Sequence, residues 1–348
     1  MRMTIWTAAA LLALAGASAP AGAAVQGQAA AQPQPRNLNV PARSAWQHAA
    51  TGMILPREAG GLARREVADL GTGELDIVGQ YEGTGGTVAT VYLFRTAVPD
   101  VSLWFDRALT AVRERGDQYG TPGAVVPAAF ARPGAAVPSG LRTAFDLSGR
   151  QLRSTALAVA PLGDFLVKVR LSAPALDQAG IDALLTRFVE GLRWPAPRAA
   201  EFAAAPVAPC AEPLRLRRAR LVRSDLATSL LDALSGTIRP TPSATERPPA
   251  FCREPGASLR YGVYRPEGTR SAYLIALNDA GIALSVGPGL GALLDERPSG
   301  RVSMTLLERG STSSLPAFNR LPPPEQAIAV AFGSRGPGFT VSTGEDRD

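Results

Sequence analysis

Over residues 62–95 the chain alternates. Leu75, Ile77 and Tyr81 take turns with Asp76 and Gln80, and Glu82-Gly83-Thr84-Gly85-Gly86 interrupts. Thr87-Val88-Ala89-Thr90-Val91-Tyr92-Leu93-Phe94 then resumes the pattern with β-branched and aromatic residues. A period of two broken by glycines predicts a β-meander, since successive strand side chains point to opposite faces. The period then changes. Val101, Trp104, Phe105, Ala108, Leu109 and Val112 follow helical spacing on one face, with Asp100 placed as N-cap and Gly116 as terminator. Arg107, Arg113, Glu114 and Arg115 take the opposite face. Strands are expected around 125–131, 141–147, 154–160 and 165–171, and a second helix over 175–193. That helix gathers Ile181, Leu184, Leu185, Phe188 and Leu192 on one face, and Trp194-Pro195 stops it. This order predicts an α+β domain over 45–197, an antiparallel sheet with two packed helices.

The remaining segments differ in texture. Residues 198–209 are rich in Pro and Ala and read as a semi-rigid linker. Residues 210–333 read as a smaller, β-rich α+β domain. It has one amphipathic helix over 224–234 and strands near 259–264, 272–278, 282–286, 302–308 and 327–332. Asn278-Asp279-Ala280-Gly281 is a hairpin-turn sequence. Residues 334–348 carry Gly, Ser and charge without apolar spacing, as in a disordered tail. Residues 24–44 are rich in Ala, Gln and Pro and read as a disordered tether.

The N-terminus reads as an export signal over 1–23. Arg2 precedes an apolar run, and Ala21-Gly22-Ala23 fits a cleavage site, which predicts a cut after Ala23. The alternative, Ala17-Ser18-Ala19, would leave Pro20 directly after the cut. The run is roughly 13–15 residues, short of the ~20 that span a bilayer. A processed, periplasmic or secreted chain with no transmembrane segment is expected.

Composition adds three constraints. A hydrophobic fraction of 46% is that of a globular chain, whereas 35 Gly and 30 Pro indicate many turns. Lys168 is the one lysine among 36 basic residues, and a net charge of +6 excludes little by itself. Cys210 and Cys252 are the two cysteines, and in an exported chain they read as one disulfide. It would close a loop of about 42 residues, worth at most about 4 kcal/mol on chain-entropy grounds. They lack the C-x-x-C spacing of a redox pair.

Catalytic constellations are scarce. His48 is the single histidine and is expected at the surface or at a sheet edge; no G-x-S-x-G elbow accompanies it. One histidine and a disulfide cannot supply a zinc site, and Phe165 stands where an S-x-x-K serine would precede Lys168. No catalytic residue, metal or cofactor is assigned. Gly287-Pro288-Gly289-Leu290-Gly291-Ala292 follows a strand, with Glu308 about 20 residues on, as in a dinucleotide fingerprint. Pro298 leaves room for only a short helix, so the segment reads as a glycine loop. Glu82–Gly86 likewise reads as a turn, because a strand follows where a phosphate cradle needs a helix. Glu66 with Asp69, and Glu74 with Asp76, read as surface charge.

One charge run stands out. Arg215, Arg217, Arg218, Arg220 and Arg223 interleave with Leu214, Leu216, Leu221 and Val222, which predicts one apolar and one arginine-lined face. Guanidinium groups capture phosphates and carboxylates, so these five are the candidate anion-binding residues. No aromatic residues interleave with them, which argues against nucleic acid.

Several stretches carry a family likeness. They are Thr51-Gly52-Met53-Ile54-Leu55-Pro56, the basic strand at Arg64-Arg65, the meander ending Thr90-Val91-Tyr92-Leu93-Phe94, and Asp164-Phe165-Leu166-Val167-Lys168-Val169-Arg170. With these features, residues 45–197 resemble a PsbP-like domain, the group that includes DcrB-like exported proteins. The resemblance implies an αβα sandwich used for binding or assembly rather than chemistry, and carries over no site residues. The expected function is an exported envelope protein, a non-catalytic binding or accessory module for an envelope protein or anionic envelope component. A carboxylate-based hydrolase and a purely structural envelope protein are the alternatives.

Overall fold

Hydrophobic alternation is carried into a large antiparallel sheet. The computed structural model describes residues 35–116, 120–149, 151–197, 200–222, 249–289 and 300–333. The expected signal peptide, the 224–234 helix, Arg223 and the 334–348 tail lie outside the described residues. The first half contains β1 (Arg36–Asn37), β2 (Trp46–Gln47), β3 (Ile54–Leu55), β4 (Glu58–Ala59), β5 (Leu62–Asp69), β6 (Asp76–Glu82) and β7 (Val88–Arg95). Helix α1 (Val101–Arg113) follows, then β8 (Ala128–Phe130), β9 (Gly140–Asp146), β10 (Ser154–Leu162), β11 (Phe165–Ala173) and α2 (Gln178–Gly191). The sheet order is β1-β5-β6-β7-β11-β10-β9-β8, with β4 on β5, while β2 and β3 pair with each other. Two meanders thus meet at the β7–β11 pair.

Alternate residues of β10 enter two different cores. Ala156 and Ala158 join Tyr81, Ile181, Leu185 and Phe188; Leu157 and Val159 join Trp104, Phe105 and Leu109. With both faces covered, β10 and β11 lose the polar half of their alternation. Asp100 Oδ1 accepts from Leu103 N at 2.7 Å and caps α1 as expected. The second helix starts at Gln178, not 175, because Asp177 Oδ1 accepts from Gly180 N at 2.8 Å and fixes the N-cap there.

The second half contains β12 (Ala208–Pro209), β13 (Leu221–Val222), β14 (Phe251–Arg253), β15 (Tyr261–Pro266), β16 (Tyr273–Leu277), β17 (Ile282–Gly287), β18 (Val302–Leu307), β19 (Thr312–Phe318) and α3 (Pro324–Phe332). Its strands run in the order β12-β14-β15-β16-β17-β18-β19-β13, antiparallel except for β12 against β14. Together the halves form a mixed α+β fold dominated by sheet. Residues 327–332 form part of a helix, not the expected strand. Ile328, Val330 and Phe332 alternate with alanines and imitate period two, but alanine favours helix and Pro324 pre-sets the first turn.

The second sheet divides its faces as the first does. Tyr273, Ile275 and Leu277 pack with Ala327 and Ile328, whereas Leu274 and Ala276 pack with Trp104 and Phe105 of α1. Helix α1 therefore contacts both sheets, and its expected polar face holds only at the end of the helix, where Arg113 and Glu114 are exposed. Arg107 is fully buried and Asp106 is 7% exposed. Arg107 donates to Asn278 O at 2.6 Å and Leu259 O at 3.0 Å. Asp106 accepts from Tyr264 Oη at 2.7 Å and pairs with Arg253.

The hairpin turn 278–281 completes this junction. Lys168 Nζ lies 2.6 Å from Asp279 Oδ2 and 4.3 Å from the centre of the Tyr92 ring. Gly281 O accepts from Ala97 N at 2.7 Å. A Cβ at Gly281 (φ +75°) would stand 2.9 Å from Arg95 O, so only glycine passes there without strain. Arg309 pairs with Asp76 at 2.7 Å.

Parts of the expected tether and of the expected semi-rigid linker are fastened to the first half. Arg36–Asn37 pairs with β5, and Leu38 and Val40 pack on the first core; these two isolated apolar residues gave no period to read. In 198–209, Glu201 takes a 2.7 Å contact from buried Arg132, and Ala204 N donates to Pro138 O.

Candidate functional site

The arginine run lies on an extended strap that leads from β12 to β13. Cys210 and Cys252 form the expected disulfide, with Cα atoms 4.8 Å apart, and this fixes the start of the strap. Leu214 N then donates to Glu254 Oε2 at 2.9 Å, while Arg265 Nε holds Glu254 Oε1 at 2.6 Å. Gln326 of α3 closes on Ala219 twice: its Oε1 accepts from Ala219 N at 2.9 Å and its Nε2 donates to Ala219 O at 2.7 Å. A side-chain amide thus replaces a neighbouring strand. Asn319 does the same for Arg220, through Oδ1 to Arg220 N at 2.9 Å and its own N to Arg220 O at 3.0 Å.

This scaffold sorts the side chains as the alternation predicts. Leu214, Leu216 and Ala219 pack on the second sheet's core, while Arg215, Arg217, Arg218 and Arg220 are exposed. Among the described residues, no carboxylate pairs with any of these four. Leu221 departs from the expected apolar face: it is 54% exposed, because β13 is the last strand of its sheet. Arg320 lies about a hundred positions beyond the run. It is exposed and follows Asn319, which brackets Arg220, so the antiparallel β13–β19 pairing brings it to the strap. Its distance in sequence from the run removes any local signal.

The other candidates fall elsewhere. His48 is fully buried rather than at the surface. Its Nε2 lies 2.9 Å from Glu74 O and so carries the proton, while Nδ1 faces Thr51 Oγ1 at 2.8 Å and accepts from Thr51 N at 3.3 Å. The edge of Phe165 closes the ring in, at 5.0 Å between centroids. Its position is structural.

Asp69 and Asp76 are also buried, contrary to the surface-charge expectation. Asp69 accepts from Gly71 N and Glu74 N at 3.0 and 3.1 Å, so it holds a loop. Burial raises the Asp76 carboxyl above its ordinary pKa, and Arg309 and Lys168 only partly offset this. Asp279 goes the other way: burial pushes it up, but the Lys168 charge and hydrogen bond, with Arg115 and Arg107, outweigh burial and hold it below its ordinary value. Of the pairs named above, Glu66 instead contacts Asn37 Nδ2 at 2.7 Å and Glu74 accepts from Ala49 N at 3.2 Å.

Two hollows mark the surface. One, of about 360 Å³, is bordered by Phe130, Arg142, Leu185, Thr186, Val189 and Glu190, and Arg142 donates to Thr186 Oγ1 at 2.6 Å. The other, of about 30 Å³, borders Tyr92, Arg115, Lys168 and Asp279. Each contains a single carboxylate, so neither offers the two that acid–base hydrolysis needs.

The glycine motif is described only as far as Gly289. Its first glycine closes β17, where a Cβ would lie 2.6 Å from Ala272 Cβ, so close packing explains that residue. Among the described residues no group of three or more His, Cys, Asp or Glu could hold a metal ion. No helix among them is long and apolar enough to cross a membrane. Comparison of the chain with protein-family models, curated proteins and solved structures finds no match.

Proposed function

We propose that this protein is an exported, non-catalytic binding or accessory module of the cell envelope, and that its arginine strap engages an anionic envelope component. The observation that carries this reading is the placement of Arg215, Arg217, Arg218 and Arg220. All four are exposed and, among the described residues, without a carboxylate partner, on a backbone pinned by Glu254, Gln326, Asn319 and a disulfide. Evolved surfaces interleave charges of both signs, and an unpaired run of one sign creates a local attractive field. Pinning the backbone lowers the ordering entropy that binding would otherwise cost.

The disulfide fits an oxidising compartment, in keeping with the apolar N-terminal run and cleavage after Ala23. The first sheet with α1 and α2 is read as an αβα sandwich of PsbP-like type. The split of β10 side chains between two helix-bearing cores supports that assignment.

Replacing all four arginines by glutamine tests the central point. The variant should melt within about 1 °C of the parent, because exposed side chains away from packing change stability little. It should also elute from a sulfonated or heparin matrix at clearly lower salt. Equal elution of parent and variant removes the strap from the account.

A further inference from the structure

We propose that the partner of the arginine strap is an anionic lipid surface, a proposal that rests on the anion-binding reading above. The two hollows described above are bordered by other residues, not by the strap. A site for a small free anion would converge its donors on one point. Here the guanidinium groups are strung along a segment that spans at most about 18 Å from Arg215 to Arg220. Arg320 extends the charge across the neighbouring strand.

A protein partner is a poorer fit. Protein interfaces draw their strength from a desolvated centre rich in aromatic side chains, and charges at a rim contribute little. The exposed residues of 211–222 include no aromatic residue. A charged bilayer needs neither pocket nor aromatic anchor, because each basic residue close to it contributes by charge alone.

Leu221 adds the second element. Among the described residues it is one of three large hydrophobic residues that are exposed, and it adjoins Arg220 directly. Basic residues flanking an exposed leucine are what interfacial binding uses: charge draws the protein to the headgroups, and apolar area enters the acyl boundary. Among the described residues β13 is the last strand of its sheet, and no further strand there keeps the strap from a flat surface. The contact is peripheral.

The test uses the processed chain from Ala24 onward, so that the apolar N-terminal run cannot itself enter a membrane. Sedimentation with vesicles of phosphatidylglycerol and phosphatidylcholine is compared with phosphatidylcholine alone, at low and at 0.5 M salt. Binding is expected only to the anionic vesicles, with loss at high salt. Each arginine changed to glutamine should lower partitioning by about fivefold at low salt, and all four together by several hundred-fold. Changing the four to lysine should keep most of the binding. Leu221→Ser should leave low-salt adsorption in place but weaken the fraction that resists salt.

Retention on heparin without vesicle binding would overturn the lipid assignment and leave the anion-binding reading standing. Failure on both supports would remove both. Vesicle binding unaffected by the four glutamines would also overturn the proposal, because the lipid contact would then lie elsewhere. Melting curves of each variant separate loss of binding from loss of fold.

Discussion

Lys168 and Asp279 show how much a single pair can decide. The two side chains are 8% and 22% exposed and lie 2.6 Å apart, and Asp279 is held below its ordinary pKa despite burial. A lowered folded-state pKa means that the carboxylate adds stability above its unfolded value and loses that contribution as pH falls through the folded value. Asp279→Asn should therefore cost roughly 1.5–3 kcal/mol at neutral pH, and the gap to the parent should narrow as pH drops below 3.8. Chemical denaturation at pH 7 and pH 3 measures both ends. Asp76 carries the opposite sign: its raised pKa gives a contribution present at low pH and lost as pH rises through the folded value. At this scale the sequence was legible where residues repeat. The alternation of leucines and arginines in 214–220 predicted which side chains face water. His48, Asp69 and Asp76 were not legible, because a lone polar residue has no period and its burial depends on partners distant in sequence.

Elements were readable in proportion to how one-sided they are. The β5–β7 meander and the apolar face of α1 follow the sequence closely, each having a clear apolar stripe. The opposite side of α1 was legible at Arg113 and Glu114, which are exposed, but misleading at Arg107, which two carbonyls of the second half meet. Helix α3 failed for the reverse reason: its alanine alternation is compatible with strand and helix alike, and a proline-set first turn decides. The 278–281 turn was legible as a hairpin but not as a contact. Gly281→Ala tests that added role. A side chain there is strained by φ and meets Arg95 O, so a loss of more than 1 kcal/mol is expected. In a protein of this size that lowers the melting temperature by about 2 °C or less per kcal/mol.

For the whole molecule, the connection between halves matters more than the division between them. α1 contributes to a core shared by both sheets, and the pairs Lys168–Asp279, Asp76–Arg309 and Asp106–Arg253 cross between them. Neither half can leave without exposing Trp104 and Phe105, whose burial is worth several kcal/mol. Thermal unfolding should thus be a single transition with matching calorimetric and van't Hoff enthalpies. Two separated transitions would show that the halves fold independently. The sequence could not reveal this cooperation, because it resides in contacts between residues more than a hundred positions apart.

The burial of Lys168 has a further consequence. It is the chain's only lysine, and in the folded protein its amine is turned inward between Tyr92 and Asp279. Acylating reagents therefore find the chain's one lysine amine covered in the folded protein. Whatever separates the two halves uncovers it. The molecule carries its own chemical gauge of whether that junction is closed.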